Sequence, residues 1–241
     1  MRPRASELRE TNRRFYDSLW STARLIAPER LNTWPLVRSL LPRCRRRLEV
    51  APGLRPRLPL EGTEFVDISW PAVAELARGG ARAVQSEISA LPFASGVFDL
   101  VCALDVIEHI DDDRAALAEL RRVAAPGGIV LLSLPLYASR WTAFDDLVGH
   151  RRRYEPEALN ALLAQAELAV EQSAAYGMQP RSARLVDHAM WWLGRHRELA
   201  MWWYNRIFMP LGVLFQTRLT LAPGMIDTRK VDEVILVCAA G

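Results

Sequence analysis

Between residues 48 and 172, short apolar runs alternate with amphipathic stretches, and this alternation restricts the fold more than any single motif does. Leu48 to Val50, Glu64 to Val66, Ala83 to Gln85, Phe98 to Leu104, Ile129 to Leu134 and Leu168 to Gln172 read as strands. Helical patterns over Pro71 to Arg78, Asp112 to Val123 and Pro156 to Gln165 fall between several of them. Gly79-Gly80 stops the first and Pro126-Gly127-Gly128 the second. Phe98 to Leu104 is almost continuously apolar, as a strand covered on both faces must be. The pattern predicts an α/β fold built on a doubly wound, mostly parallel sheet, with Glu233 to Cys238 as its last strand.

Two stretches interrupt the alternation. Only 18 positions separate Glu49 from Asp67, and Pro56 and Pro59 fall where a connecting helix would start, so none is expected there. Residues 179–226 form the second interruption. This stretch holds Trp191-Trp192 and Trp202-Trp203 interleaved with Arg195, Arg197, Arg206 and Arg218, and reads as two helices over 182–208 and 211–219, divided by Pro210. Residues 1–46 are expected to form a helical cap, with helices over 5–19 and 34–41, leaving 47–178 and 227–241 as the core.

At 241 residues, half of them apolar, the chain can bury a full core. Cys44, Cys102 and Cys238 are far apart and form no CxxC pair, so a reduced, cytoplasmic protein without a metal site is expected. The polar start, MRPRASELRETNRR, does not read as a signal peptide. No run of about 18 uncharged apolar residues is present to span a membrane. Residues 1–57 carry 14 Arg against 5 acids, a basic face that reads foremost as a solvated one.

The chemistry concentrates where the first two strands end. Ala51-Pro52-Gly53 is a small-residue turn after the first strand, and Asp67 closes the second. In an open α/β sheet, such a turn takes a polar or charged ligand tail, and such an acid takes ribose hydroxyls. A nicotinamide site is disfavoured, because AxGxxP stands for GxGxxG: Ala51 and Pro56 replace two of its three glycines, and Glu49 precedes the turn.

Taken in order, LEVAPG, FVDIS, SEISALPF, FDLVCALDVIEHI and RRVAAPGGIVLLSLP resemble the class I S-adenosylmethionine-dependent methyltransferases, of the small-molecule type related to quinone-biosynthesis enzymes. The resemblance covers about 45–175 and the last strand, and VGHRRRYEPEALNALL extends it. It implies a Rossmann-like fold with an antiparallel last strand, S-adenosylmethionine as cofactor, and methyl transfer to a small, apolar or aromatic acceptor. On this resemblance Glu49 accepts from the cofactor's ammonium, Ala51 and Gly53 let backbone approach, and Asp67 takes the ribose hydroxyls. Ile68 and Ile88 flank the adenine, Glu87 accepts from its amino group, and Leu104 and Asp105 lie beside the methionine moiety.

The turn departs from the family's GxGxG pattern: Arg55 stands at the third glycine, which suggests that Arg55 or Arg57 pairs with the methionine carboxylate. Ala51 is a mild change provided its φ is negative. For the acceptor's proton the candidates are His150, Asp105, Tyr154 and Tyr137, whereas His109 reads as a structural hydrogen-bonding partner. No Asp-Pro-Pro-Tyr-like tetrad follows the fourth strand, which disfavours amino methylation of nucleic-acid bases, and nothing else points clearly to nucleic acid. The 179–226 stretch is open to three readings: a lid or wall around the acceptor, plain core packing or a homodimer contact, or peripheral attachment to a membrane. The opposing functional class is an inactive methyltransferase-fold protein serving as a binding or membrane-associated module.

Overall fold

The computed structural model describes residues 16–21, 23–177, 216 and 218–241. In chain order its elements are α1 (Trp34–Leu40), β1 (Arg47–Val50), β2 (Thr63–Asp67), α2 (Trp70–Arg78), β3 (Arg82–Gln85) and β4 (Phe98–Ala103). There follow α3 (Asp113–Val123), β5 (Ala124–Pro135), α4 (Ala143–Val148), α5 (Pro156–Gln165), β6 (Leu168–Ala175), β7 (Ala222–Pro223) and β8 (Glu233–Ala240). The strands form one sheet in the order β3-β2-β1-β4-β5-β8-β6-β7.

β3, β2, β1, β4 and β5 are mutually parallel, and β8 runs antiparallel to both β5 and β6. The order reverses at β1 and β4, so a crevice opens where their carboxyl ends diverge into different loops.

Side-chain alternation along the strands divides the core in two. Val101, Ala103, Val130 and Leu132 pack on α3 through Ala116, Leu117 and Leu120, and on α5 through Leu159 and Leu163. The intervening Leu100, Cys102, Ile129 and Leu131 face the other way, onto Leu36, Val37 and Leu40 of α1 and onto Leu58. Each fully buried leucine here contributes about 2 kcal/mol of apolar burial. α1 and Leu58 thus cover a sheet face that a β1–β2 helix would otherwise serve. No helix forms between β1 and β2, as the prolines require.

Three elements differ from expectation. Pro126-Gly127-Gly128 does not separate α3 from β5: the strand starts at Ala124, and Gly127, at φ 70°, lies in an irregular stretch where the β4–β5 register shifts. The loop expected over 136–154 contains α4, whose six residues are too few for a periodic signal. The helix expected over 5–19 continues to residue 21, and its described part, 16–21, lies at the mouth of the crevice, while α1 packs on a sheet face. The two helices expected over 182–208 and 211–219 lie outside the described residues, apart from residues 216, 218 and 219. Among the described residues no helix is long and apolar enough to cross a membrane.

Candidate functional site

The β1–β2 end of the crevice is built from backbone amides pointing at carboxylates. Asp67 Oδ2 accepts from the Gly53 N–H at 2.9 Å and Oδ1 from the Ser69 N–H at 2.8 Å. Burial pushes the Asp67 carboxyl up to about 6, although both amides pull the other way. Each oxygen keeps a further lone pair for a hydroxyl donor. Asp67 therefore fits a ribose, and Gly53, without a side chain, leaves the turn beside it open to close approach.

Glu49 is committed to its own loop. Its carboxylate accepts the Arg57 N–H at 2.8 and 3.0 Å and the Leu58 N–H at 2.9 Å, and only 2% of the residue is exposed. Burial raises its carboxyl to about 7. A direct contact with a ligand ammonium would compete with these bonds; in the structure Glu49 anchors the helix-free connection 51–62. Ala51 has φ 55°, so this turn position keeps the left-handed geometry suited to glycine, and the condition under which alanine there would be a mild change is not met.

The two arginines separate. Arg55 lies over the Trp20 ring, 5.2 Å from its centroid. Arg57 reaches the floor of the crevice, where Nη2 donates to the Tyr176 hydroxyl at 3.0 Å and lies 3.4 Å from Asp105 Oδ2. Of the pair, Arg57 is the one placed to meet a carboxylate. Glu87 Oε2 accepts from the Ser89 hydroxyl at 3.5 Å, Ile68 offers its carbonyl to Gln85, and Ile88 and Leu104 are buried in the two core clusters.

The β4–β5 end crowds carboxylates together. Asp105, at φ 57°, bonds Ser133 and shares a hydrogen bond with Glu233. Burial opposes ionisation of both acids. The Glu233 hydrogen bond and Arg57 nevertheless hold Asp105 below its usual value, while Glu233 is pushed well above. Sequence reasoning placed Glu233 at the start of the last strand but missed its contact with Asp105, because the pair lies 128 positions apart and meets only through the register of β8 against β5.

Beside them stand Glu108, His109 and His150. His150 Nδ1 lies 2.7 Å from Asp145 Oδ1, and its Nε2 faces Glu108 Oε1 at 3.7 Å. Burial raises the Asp145 carboxyl, but Arg153, Thr142 and His150 outweigh it and hold the group at about 2. An ionised Asp145 can only accept, so Nδ1 of His150 carries the proton and Nε2 is a bare lone pair. Burial lowers both imidazoles, His109 to about 3, so both are neutral near pH 7. His109 belongs to this cluster as well as holding the hydrogen bond expected of it, to the Gly149 carbonyl.

Tyr154 is not at this surface. It is 5% exposed within the core, and its hydroxyl donates to Asp113 at 3.1 Å, so the expectation that it serves the acceptor is corrected. Its aromatic ring completes the packing of β5 against α5. Tyr137 bonds Thr228 at 2.8 Å.

Residues 16–21 close over both ends. Ser69 donates to Asp17 at 2.8 Å, and the Tyr16 hydroxyl lies 3.2 Å from Nε2 of His109. A Cβ added to Gly53 would come within 2.1–2.7 Å of the Trp20 ring, so the indole rests directly on the bare turn. The donor set suits a nucleoside bearing an amino-acid tail, and such a ligand needs the indole to move aside.

Comparison with known proteins agrees with the fold. Residues 63–132 match the methyltransferase domain family. The malonyl-[acyl-carrier protein] O-methyltransferase of Enterobacter lignolyticus is 34% identical over 107 residues, covering 41% of this chain and 43% of that protein. Norajmaline N-methyltransferase of Rauvolfia serpentina is 49% identical over 51 residues, covering 21% and 16%. The chain thus spans about half or less of the length of the curated relatives it matches. An S-adenosylmethionine-dependent methyltransferase of Thermotoga maritima superposes over 98% of this chain and 94% of its own, with a TM-score of 0.58 at 16% identity.

Proposed function

We propose that the chain, whose core has the class I methyltransferase fold and whose residues 63–132 match the methyltransferase domain family, transfers a methyl group from S-adenosylmethionine to a small, apolar or aromatic acceptor. The observation that carries the reading is Asp67, a buried carboxylate with spare lone pairs at the tip of β2, facing the side-chain-free turn at Gly53. Asp67 holds the ribose hydroxyls and the 51–53 turn admits the tail, while Arg57 receives the methionine carboxylate. Ile68, Glu87 and Ile88 frame the adenine, and Leu104 and Asp105 border the methionine chain.

When bound, the cofactor supplies a methyl group already activated on a sulfonium, so the protein's contribution is chiefly alignment and exclusion of water. The acceptor sits against the β4–β5 end. There the bare Nε2 of His150, backed by Asp145, is the lone pair disposed to take an acceptor proton. Tyr16 and Trp20 screen the crevice from solvent.

Calorimetric titration of the folded chain with S-adenosylhomocysteine tests the reading, and one-to-one binding is expected. Absence of heat, with the circular dichroism of a folded α/β protein intact, would overturn it and return the chain to the class of inactive methyltransferase-fold modules.

A further inference from the structure

The Glu108–His109–His150 cluster holds more lone pairs than a single proton transfer needs. One ligand atom from each residue lies within 4.8 Å of the others, and Glu108 Oε1 is already 3.7 Å from His150 Nε2. Glu108 is only 2% exposed, yet its Oε2 has no hydrogen-bond partner among the described residues. A buried carboxylate without a donor is costly unless a proton or a cation answers it; burial pushes the Glu108 carboxyl well above its usual range, so a cation here would take the place of a proton.

Both imidazoles are oriented as ligands. The Gly149 carbonyl, 3.3 Å from His109 Nδ1, can only accept, so that nitrogen carries the hydrogen and Nε2 keeps a lone pair, which the Tyr16 hydroxyl meets at 3.2 Å and which a cation would take over. Asp145 fixes His150 in the same tautomer, in the carboxylate–histidine arrangement that supports metal-bound imidazole. Asp145 is in turn held by Arg153 and Thr142. The ligand shell and the residues that orient it are therefore both in place.

We propose that Glu108, His109 and His150 form a binding site for a first-row divalent cation of the zinc class. Two neutral imidazoles and one carboxylate are the donor set such ions accept, with further positions left open. Bonds of about 2.0–2.2 Å keep tetrahedral ligands about 3.5 Å apart, so ligand atoms now within 4.8 Å of one another need to draw together by up to about 1.3 Å. A hydroxyl, that of Tyr16, already stands 3.2 Å from His109 Nε2, next to the ligand atoms. In the methyl-transfer reading, on which this role rests, the cation holds the oxygen of an acceptor that arrives ionised, a carboxylate or a phenolate whose proton has gone to solvent, so that the new O–C bond forms as the sulfonium C–S bond breaks. His150 then serves as a ligand, and no acceptor proton remains for it to take.

The test uses the full chain stripped with a chelator, with Zn²⁺ alone and Co²⁺ alone as probes. Calorimetry is expected to give one equivalent of Zn²⁺. Co²⁺ is expected to develop the intense visible absorption of a low-coordinate site. Glu108→Gln and His150→Ala should each weaken Zn²⁺ binding at least tenfold, and Asp145→Asn by about tenfold to 100-fold.

In case a variant misfolds, imidazole ¹⁵N spectra of the wild-type chain provide an independent readout. Of its four histidines, His109 and His150 should shift on adding Zn²⁺. No stoichiometric binding, binding undiminished in a folded Glu108→Gln/His150→Ala double variant, or shifts confined to His188 and His196 would overturn the site. S-adenosylhomocysteine affinity measured on the same samples separates the two readings. Cofactor binding without metal removes only the cation site, and metal without cofactor removes only methyl transfer.

Discussion

At the β1–β2 end of the crevice the carboxylates of Glu49 and Asp67 are answered by backbone N–H groups; at the β4–β5 end Asp105, Glu108 and Glu233 face one another and two neutral imidazoles. Backbone amides are fixed by the fold, so the first end is a rigid frame with lone pairs to spare for a hydroxylic ligand. At the second end burial pushes the Glu108 and Glu233 carboxyls well above their usual range, while Arg57 is the cation beside Asp105. A frame of satisfied groups holds a cofactor in one place, and a crowded set of lone pairs suits the site where protons or cations come and go. The helix over 16–21 touches both ends through Asp17, Trp20 and Tyr16, so access to the two is physically linked.

The comparison is broken most severely at Glu49. Glu49→Ala leaves two buried amides, those of Arg57 and Leu58, without acceptors, and stability should fall by about 2–5 kcal/mol in urea titrations. Glu49→Gln retains one acceptor oxygen and should fall by roughly half as much. Next in size is the arginine pair. Arg57→Met should weaken S-adenosylhomocysteine binding by on the order of tenfold to 100-fold, as loss of a charged hydrogen-bonding partner does. Arg55→Met should stay within about threefold. The reverse ranking would return the carboxylate clamp to Arg55.

A smaller effect follows from Asp67. Since burial raises its carboxyl to about 6, lowering the pH through that value protonates the carboxylate proposed to accept the ribose hydroxyls. Cofactor affinity is therefore expected to fall as pH drops through about 6 and to level off above it. In Asp67→Asn that pH dependence should disappear. The smallest effect is at the turn itself. Ala51→Gly relieves a left-handed alanine at φ 55° and should stabilise the fold by about 1 kcal/mol, read as a raised urea midpoint at constant slope.

The strand–helix alternation, the helix-free connection after β1 and the role of Asp67 as a buried acid at the tip of β2 were all legible, because each depends on residues close in sequence. What sequence reasoning missed depends on contacts it cannot count. Glu233 meets Asp105 only through the antiparallel placement of β8, and Trp20 meets Gly53 only because 16–21 folds across the strand ends. Arg55 and Arg57 differ by two positions in a turn shaped by Pro56, and nothing local says which points inward.

Tyr154 shows the opposite failure. It follows His150 in a polar, arginine-rich stretch, yet a parallel bridge to Leu136 draws it into the core. The Glu108-His109 pair was the available signal for the cluster. His150, 41 positions away, reaches it only through the α4 turn at Gly149, whose φ is 80°.

The most direct test of the division between the two ends is an amide and indole ¹H–¹⁵N spectrum of the intact chain as S-adenosylhomocysteine is added. The largest shifts are expected at the Gly53 and Ser69 amides that point at Asp67, and at the Trp20 indole that must leave the turn. Smaller shifts are expected at Gly149 and Arg151, beside the histidines. Shifts centred on the β4–β5 end with Gly53 and Ser69 unmoved, or no shifts at saturating ligand, would contradict the account.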